Sequence, residues 1–586
     1  MDVKRLFDLP YYQMEKFPQD EAFCDKVDGE WRKTSTAEYI EKANAISRGL
    51  IKKGIEPGDK IAMISNNRSE WNICDIGIQQ VGAIGVPVYP TISAEDYDYI
   101  FNDAGVKLCI VSDEELYHKV NSIIDNVSTL NEVYVFEAVN DTKSWTELLE
   151  DPDAELDAEI EKRKAAIKYE DLVTLIYTSG TTGNPKGVML SHQNLLSNVI
   201  ACEPRLPVDS SAKSLSFLPV CHVYERMLLY LYQYTGVSIY FAESMDTIGD
   251  NLKEVKPQVF TAVPRLLEKV YDKIIAKGEA LTGIKRKLFF WAVDIGEQYD
   301  VVGRSGWYNF KLKVARKLIF SKWQEALGGQ TLAVASGSAA LQPRLARVFL
   351  AAGIPVMEGY GLTETSPVIS VNFEEGNNVR IGTTGPVLDN VEVKIAEDGE
   401  ILAKGPNVMM GYYNQPEKTA EAIDKDGWFH TGDIGEFVEG KFLKITDRKK
   451  EIFKTSGGKY IAPQVMENKF KESRFIEQIM VIGENQKMPA AFIVPAFEFI
   501  QEWAKHKGHN IGSSETDIAS SEIVIERVQK EVDGYNAGFG KWEQIKRFEL
   551  VDHLWTPESG DLTPTLKPKR RVLLERHKDL YDKIYS

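Results

Sequence analysis

Hydrophobic and polar positions in the first part of the chain follow two different periods. Apolar residues recur at helical spacing over 37–53 and stop at Gly54, which predicts an amphipathic helix. The runs 60–65 and 82–89 are short and almost continuously apolar, and the second ends at Pro90, which is typical of buried strands. Strands that alternate with helices in this way favour parallel sheets covered by helices, so we expect an α/β fold.

The second half of the chain predicts a domain boundary. A chain of 586 residues is too long for one hydrophobic core. The stretch 444–454 is densely charged, and the strand-like runs 478–483 and 490–495 follow it. A polar run between apolar regions is typical of a hinge between domains. We predict a large N-terminal domain of layered sheets and helices over 1–446 and a small, mobile α+β domain over 447–586.

Composition narrows the classes of function. The net charge of −17 makes nucleic acid an unfavourable partner. The five cysteines are scattered without a CxxC pair, which argues against a disulfide framework or a zinc site and fits a reducing cytoplasm. The N-terminus has no signal-peptide pattern. The most apolar window, 227–242, contains Gln233 and Gly236 and is too short and polar to span a bilayer, so peripheral membrane contact stays open.

The stretch from Tyr177 to Val188 reads YTSGTTGNPKGV and lies between two apolar, strand-like runs. Glycines let backbone N–H groups point at an anion, hydroxyl groups add donors, and a lysine adds a positive charge, so the stretch predicts a loop that binds nucleotide phosphates. It differs from a Walker A loop, because the lysine precedes its glycine and follows Pro185. The alternative is a surface loop that binds nothing. The candidate phosphate-binding residues are Thr178, Ser179, Gly180, Thr181, Thr182, Gly183 and Lys186.

This loop resembles the phosphate-loop signature of the adenylate-forming enzymes, which include acyl-CoA synthetases, peptide-synthetase adenylation domains and luciferases. Further motifs follow in that family's order, most firmly between Tyr177 and Arg570. The TLKPKR sequence near the C-terminus, the aromatic and basic segment 277–330 and the overall length resemble the long-chain fatty acid–CoA ligases in particular. The resemblance implies a large domain and a small mobile domain.

Two further segments match motifs that, by this resemblance, contact the nucleotide base and its phosphates. The segment 335–341 places small residues where an adenine ring needs close approach, although small residues also serve tight packing. In the segment 358–365 an aromatic ring can stack on adenine, Thr363 offers a hydroxyl to a phosphate, and Glu364 is an oxygen ligand of the kind that Mg²⁺ takes. The residues assigned to the base by this resemblance are Gly337, Ser338, Ala339, Glu358, Gly359, Tyr360 and Gly361.

The family's later motifs assign roles to further residues of this chain. Asp433 and Arg448 are assigned to the ribose, and Lys450 to the hinge. Lys567 matches the catalytic lysine, with Lys569 as the competing assignment and a solvated charged tail as the alternative for both. Upstream of these motifs, His222 lies where the family often keeps a residue near the acyl carboxylate; a buried, hydrogen-bonded histidine is equally compatible with its sequence context.

The resemblance implies a two-step reaction. ATP and a fatty acid would give an acyl-adenylate and pyrophosphate with Mg²⁺, and CoA would then take the acyl group. One alternative is an adenylating enzyme that delivers to a carrier-protein thiol. Another is an inactive lipid-binding relative, which would not need Lys186, Glu364, Asp433 and Lys567 together. Chain-length preference and oligomeric state stay open.

Two charged segments lie outside the motifs. Residues 151–168 predict a surface connection. Residues 277–330 are rich in lysine, arginine and aromatic residues and predict helices with a basic face. The favoured interpretation is an extra helical layer whose aromatic side chains fill the core. The alternative is an insert that shapes an acyl tunnel or contacts a membrane surface.

Overall fold

The computed structural model describes residues 2–178, 184–563 and 566–586. The chain forms two compact units, and the α/β class expected from the sequence is confirmed by the strands and helices of both. The predicted domain boundary after residue 446 stays a prediction. The first unit comprises Met1–Lys394, Leu402–His430 and Phe437–Leu443, and the second comprises Ile395–Ile401, Thr431–Glu436 and Lys444–Ser586.

The strands are short, and most belong to sheets of the first unit. In the described ranges they are β1 (Phe23–Val27), β2 (Glu30–Thr34), β3 (Lys60–Ile64), β4 (Ile84–Val88), β5 (Val106–Val111), β6 (Glu132–Val135), β7 (Lys143–Ser144), β8 (Leu172–Thr178), β9 (Lys186–Ser191), β10 (Lys213–Ser216), β11 (Ser238–Phe241), β12 (Val259–Ala262), β13 (Ala333–Ser336), β14 (Val356–Gly361), β15 (Val368–Val371), β16 (Glu392–Ile395), β17 (Glu400–Lys404), β18 (Gly411–Tyr412), β19 (Phe429–Val438), β20 (Phe442–Arg448), β21 (Phe453–Lys454), β22 (Tyr460–Ile461), β23 (Ile476–Ile482), β24 (Ala490–Pro495) and β25 (Phe548–Leu550).

The helices connect these strands. In the same ranges the α-helices are α1 (Leu9–Lys16), α2 (Thr36–Lys52), α3 (Ser69–Gln80), α4 (Ala94–Ala104), α5 (Glu114–Asn121), α6 (Ala154–Ala166), α7 (His192–Cys202), α8 (Val223–Thr235), α9 (Ile248–Val255), α10 (Pro264–Glu279), α11 (Gly283–Glu297), α12 (Gly306–Ala315), α13 (Ser321–Ala326), α14 (Pro343–Ala351), α15 (Pro416–Ala422), α16 (Pro463–Phe470), α17 (Phe497–Lys507), α18 (Glu515–Ser520), α19 (Glu522–Asn536), α20 (Arg570–Arg576) and α21 (Lys578–Tyr585).

Two mainly parallel sheets organise the first unit. One has the strand order β15-β14-β13-β12-β10-β11-β1-β2, with parallel pairing from β14 to β1. The other has the order β18-β9-β8-β4-β3-β5-β6-β7, parallel from β8 to β7. Because carboxyl ends of parallel strands meet at one edge, this topology gathers the loops that follow them.

The elements predicted from hydrophobic periodicity are confirmed. Helix α2 begins after Ser35, whose side chain accepts the N–H of Glu38 at 3.1 Å, and strands β3 and β4 occupy the two apolar runs. The charged segment 151–168 differs from the prediction of a simple connection, because most of it is helix α6. Asp153 caps that helix by accepting two backbone N–H groups, a signal of helix initiation in its own right.

A buried ion pair ties helices α3 and α8 to strand β8. The guanidinium of Arg226 donates to Asp75 at 2.5 Å, to the hydroxyl of Tyr230 at 3.0 Å and to that of Thr174 at 2.8 Å. The Arg226 and Asp75 side chains are 1% and 2% exposed. Both charges are therefore removed from water and depend on each other and on these neutral partners.

The second unit has its own sheet and core. Strands β23 and β24 are antiparallel, β25 joins them in parallel, and helices α16, α17 and α19 contribute to one buried apolar cluster with them. Arg570 contacts the buried carboxylate of Glu467 and donates to the carbonyl of Val481 at 2.9 Å. The α+β character predicted for the C-terminal part is thus present.

Two further features concern the cysteines and the helices. All five cysteines are buried and free of disulfides. Within the ranges that the structure covers, every helix is too short or too polar to cross a membrane.

Candidate active site

The two segments assigned to adenine follow neighbouring parallel strands. Strand β13 ends at Ser336, which lies beside Glu358 of β14. The chain then turns at Ser338, which has a left-handed φ of 68°. The carboxylate of Glu358 accepts the N–H of Leu341 at 3.0 Å, and burial raises the pKa of Glu358 to about 7. The segments 337–339 and 358–361 therefore meet at one sheet edge.

The glycines of these segments have packing reasons of their own. A Cβ on Gly361 would lie 1.8 Å from the carbonyl oxygen of Pro367, so only glycine permits the β14–β15 pairing there. A Cβ on Gly337 would lie 3.0 Å from the ring of Tyr224, whereas Gly359 has ordinary contacts. Small size at Gly361 is thus explained by backbone approach, independently of a bound ring.

Glu364 is held in place from two directions. It lies in a 3₁₀ turn, Thr363–Thr365, in which Thr363 is buried and Glu364 is half-buried. The hydroxyl of Tyr412 donates to its carboxylate at 2.8 Å, and the N–H of Met409 donates to its backbone carbonyl at 2.8 Å. A half-buried carboxylate with a fixed orientation suits a ligand for a cation.

Lys186 reaches the same tyrosine from the other side. It begins strand β9 opposite Thr178, and its ammonium lies 3.9 Å from the centroid of the Tyr412 ring. Tyr412 therefore joins the cation and the carboxylate that the sequence assigned to the phosphates and the metal. The five phosphate-loop residues between these strands, Ser179, Gly180, Thr181, Thr182 and Gly183, lie outside the described residues.

Sequence reasoning missed Tyr412. It lies in the stretch 406–416, outside the segments that the sequence assigned to the site. Pairing of β18 with β9 places Tyr412 opposite Val188, two residues after Lys186. Its partners Lys186 and Glu364 are distant in sequence, and only the folded chain brings them together.

In the second unit, the two residues assigned to the ribose are neighbours. Arg448 Nε lies 3.4 Å from Asp433 Oδ1, and Asp433 is 4% exposed. The Asp433 N–H donates to the hydroxyl of Thr431 at 3.1 Å, which fixes the backbone next to the carboxylate. Paired carboxylate and guanidinium groups can hold vicinal hydroxyls, so the geometry is compatible with the assignment.

The two lysines of the C-terminal motifs lie outside the helices and strands. Lys450 is exposed in the turn after β20, where the N–H groups of residues 451 and 452 bond to the carbonyl of Arg448. The backbone N–H of Lys567 donates to the hydroxyl of Thr563 at 3.1 Å, and its carbonyl accepts the Thr563 N–H at 2.8 Å. These two hydrogen bonds hold the backbone of Lys567 beside Thr563. Lys569, the competing assignment, immediately precedes helix α20.

His222 has a defined structural role. Its Nδ1 accepts the N–H of Tyr224 at 3.1 Å and caps helix α8. In the neutral ring the proton is therefore on Nε2. The ring is only half-buried, so the assignment to the acyl carboxylate stays a prediction beside this capping role.

Comparison with known proteins decides the family. The family model described as AMP-binding enzyme matches residues 11–413, more than half of the chain. The chain belongs to this family. Curated relatives of this AMP-binding enzyme include the long-chain-fatty-acid–CoA ligase FadD15 of Mycobacterium bovis, 34% identical over 96% of this chain and 93% of that protein. Long-chain-fatty-acid–CoA ligase 1 of Cavia porcellus is 32% identical over 96% of this chain and 83% of its own length.

Solved structures support the fold of this AMP-binding enzyme. The adenylation domain of a carboxylate reductase from Mycobacterium chelonae has a TM-score of 0.75 at 21% identity, with 99% of this chain and 91% of that chain covered. The resemblance to adenylate-forming enzymes is therefore confirmed at the level of the fold. The roles of individual site residues stay predictions.

Proposed function

We propose that this protein is a long-chain fatty acid–CoA ligase that forms AMP. It activates a fatty acid with ATP and transfers the acyl group to CoA. The observation that carries the proposal is similarity to long-chain ligases at 34% identity over 96% of the chain. The Lys186, Tyr412 and Glu364 arrangement supports it, because a lipid-binding protein without catalysis needs no cation and carboxylate held together.

The first step joins two anions. A fatty acid carboxylate oxygen forms a bond to the α-phosphorus of ATP, the bond from that phosphorus to the β-bridging oxygen breaks, and pyrophosphate leaves with the electron pair. The acid is already ionised at neutral pH, so no general base is needed. The residues must instead offset negative charge, and we assign this to Lys567 at the reacting centre and Lys186 at the outer phosphates.

The second step uses the CoA thiol. Sulfur gives its proton to solvent and forms a bond to the acyl carbon, the bond from that carbon to the phosphate oxygen breaks, and AMP leaves with the electron pair. Lys567 would obstruct this approach if it stayed beside the acyl carbon. We therefore assign Lys450 to a hinge that moves the C-terminal part between the steps. Asp433 and Arg448 are assigned to the ribose.

Magnesium fits one carboxylate of this site. Glu364 is a half-buried oxygen donor fixed by Tyr412, and Mg²⁺ is commonly held by one or two carboxylates together with nucleotide phosphates. The described residues contain no cluster of three His, Cys, Asp or Glu side chains that would form a protein-only cage. Glu364 would hold the ion. When bound, the ion neutralises phosphate charge.

We also propose that the protein is cytoplasmic, because its five free cysteines fit a reducing compartment. We further propose that it makes peripheral contact with a membrane. Delivery of the acyl group to a carrier-protein thiol is the second candidate, since a matching structure is an adenylation domain of a carboxylate reductase. Dependence of thioester formation on free CoA separates the two.

The deciding experiment measures pyrophosphate release with acids of increasing chain length, with and without CoA. We expect release with long acids and turnover that needs CoA. Each buried methylene contributes about 0.8 kcal/mol, so the apparent affinity should rise about fourfold per methylene until the site is filled. Absence of an acyl-adenylate with every acid would reject the ligase proposal, whereas adenylate without CoA transfer would favour the carrier-protein alternative.

Tyr412 should control the affinity for magnesium nucleotide. Tyr412→Phe removes the hydrogen bond to Glu364 but keeps the ring beneath Lys186, and we expect KM for MgATP to rise about fivefold. Tyr412→Leu removes both contacts and should raise KM by a further factor of about five. Steady-state kinetics at varied MgATP check this. Equal KM values in all three proteins would remove Tyr412 from the site.

A further inference from the structure

Helix α12 and the turn after it expose apolar side chains along one side. Trp307 is 67% exposed, Phe310 57% and Leu318 46%. We call these three residues the α12 strip. The rings of Trp307 and Phe310 stack on each other at 5.6 Å with an interplanar angle of 15°. Large aromatic side chains are thus presented to solvent as a pair.

This helix also has a buried apolar side. Leu312, Ala315 and Phe320 are buried in the core of the first unit. A helix that packs on a core with one side normally carries polar residues on the other. The favoured interpretation of segment 277–330 therefore holds for the buried aromatic side chains, such as Phe320, but it does not account for the α12 strip.

Basic residues accompany the strip. Between Asp300 and Glu325 the sequence has six lysine or arginine residues and no acidic residue, in a chain of net charge −17. Lys313 and Lys317 are exposed on the same helical segment, and the ammonium of Lys311 lies 6.0 Å from the Trp307 ring. Apolar side chains flanked by lysines are the pattern of helices that lie in a membrane interface.

We propose that the α12 strip docks on the surface of a membrane that contains anionic lipid. Trp307, Phe310 and Leu318 enter the headgroup boundary, and the three lysines contact lipid phosphates and carboxylates. The rest of the chain is acidic and is repelled by such a surface, so this basic segment determines which side faces the lipid. The strip deepens the proposed function by placing the enzyme where fatty acids partition, but its evidence is independent of catalysis.

The test is sedimentation of the full-length protein with vesicles, without substrate. Vesicles of phosphatidylcholine with about 30% phosphatidylserine should bind the protein, and vesicles of phosphatidylcholine alone should bind it at least about tenfold more weakly. Raising salt from about 0.1 M to about 1 M should weaken binding, because it shortens the screening length. Tryptophan emission should shift to the blue on binding, and because the chain has ten tryptophans the part due to Trp307 is the part lost in Trp307→Gln.

Two variants separate the apolar and charged contributions. Trp307→Gln with Phe310→Gln, and Lys311→Gln with Lys313→Gln and Lys317→Gln, should each weaken binding by about tenfold or more. Matched controls are Trp542→Gln, whose side chain is 53% exposed, and the triple change of exposed Lys162, Lys253 and Lys583 to Gln. The controls should bind like the unchanged protein.

Several outcomes would overturn the proposal. One is vesicle binding of equal strength with and without phosphatidylserine. Another is that the strip variants bind vesicles as strongly as their controls. A third is that replacing the strip changes the oligomeric state, measured by light scattering, and leaves vesicle binding unchanged. The replaced side chains are exposed, so folding should persist, and melting temperature checks it. Ligase turnover of a soluble acid without vesicles should be unchanged in the strip variants. A protein that binds vesicles but forms no adenylate would refute the proposed function alone.

Discussion

Replacing Lys567 with alanine should abolish formation of the acyl-adenylate while leaving thioester formation from supplied acyl-AMP intact. The ammonium of Lys567 is assigned to the space between two anions in the first step, and loss of one such charge-stabilising group typically costs about 100- to 1,000-fold in rate. The second step has no such need, because AMP is then the leaving group. Pyrophosphate release measures the first step, and acyl-CoA production from acyl-AMP measures the second.

Two comparisons make this result specific. Lys569→Ala is the matched control, since Lys569 lies two residues after Lys567 and immediately before helix α20, and it should retain adenylation. Lys450→Pro should show the opposite pattern, with adenylation retained and thioester formation impaired, because proline restricts φ in the exposed turn. Equal loss of both steps in Lys567→Ala would assign that residue a structural role. A greater loss in Lys569→Ala would transfer the catalytic assignment.

Replacing Arg226 with methionine should destabilise the first unit more than any surface change. Asp75 would keep its charge, 2% exposed, without its cationic partner. Breaking a buried ion pair on one side typically costs about 3–5 kcal/mol. The midpoint of thermal unfolding should therefore fall by about 3–6 °C, measured by circular dichroism.

A surface pair provides the matched control. Lys253 lies 3.0 Å from Asp250 with both side chains largely exposed, and Lys253→Met should change the free energy of unfolding by less than about 0.5 kcal/mol. Adding Asp75→Asn to Arg226→Met removes the uncompensated charge and should recover part of the loss. A midpoint for Arg226→Met within one degree of the control would show that the buried pair contributes nothing measurable to stability.

Much of the secondary structure could be predicted because its signals are local. The apolar period over 37–53 gives helix α2, and the short apolar runs give β3, β4, β23 and β24. The charged segment 151–168 was misread, since its lack of a clear apolar side hid a helix that Asp153 caps. Where the hydrophobic period is weak, as in this segment, only the capping residue indicates that a helix begins.

The candidate site could be predicted only in part. Motif resemblance named Lys186, Glu364, Asp433 and Arg448, and the structure brings the first two onto one tyrosine and the last two within 3.4 Å of each other. Tyr412 escaped notice, because its importance comes from partners far away in the sequence. Likewise, Gly361 was assigned to a ligand, whereas the carbonyl of Pro367 already requires a glycine there.

The sequence by itself determined the α/β class, the order of the family motifs and the residues that carry charge. Only the tertiary structure decided which side chains contact each other. Arg226 with Asp75, and Tyr412 with Lys186 and Glu364, are brought together by strand order and helix packing. It also divided the aromatic residues of segment 277–330 into buried and exposed groups. The physical reason is that local periodicity sets each element, while contacts between elements depend on topology, which no single segment encodes.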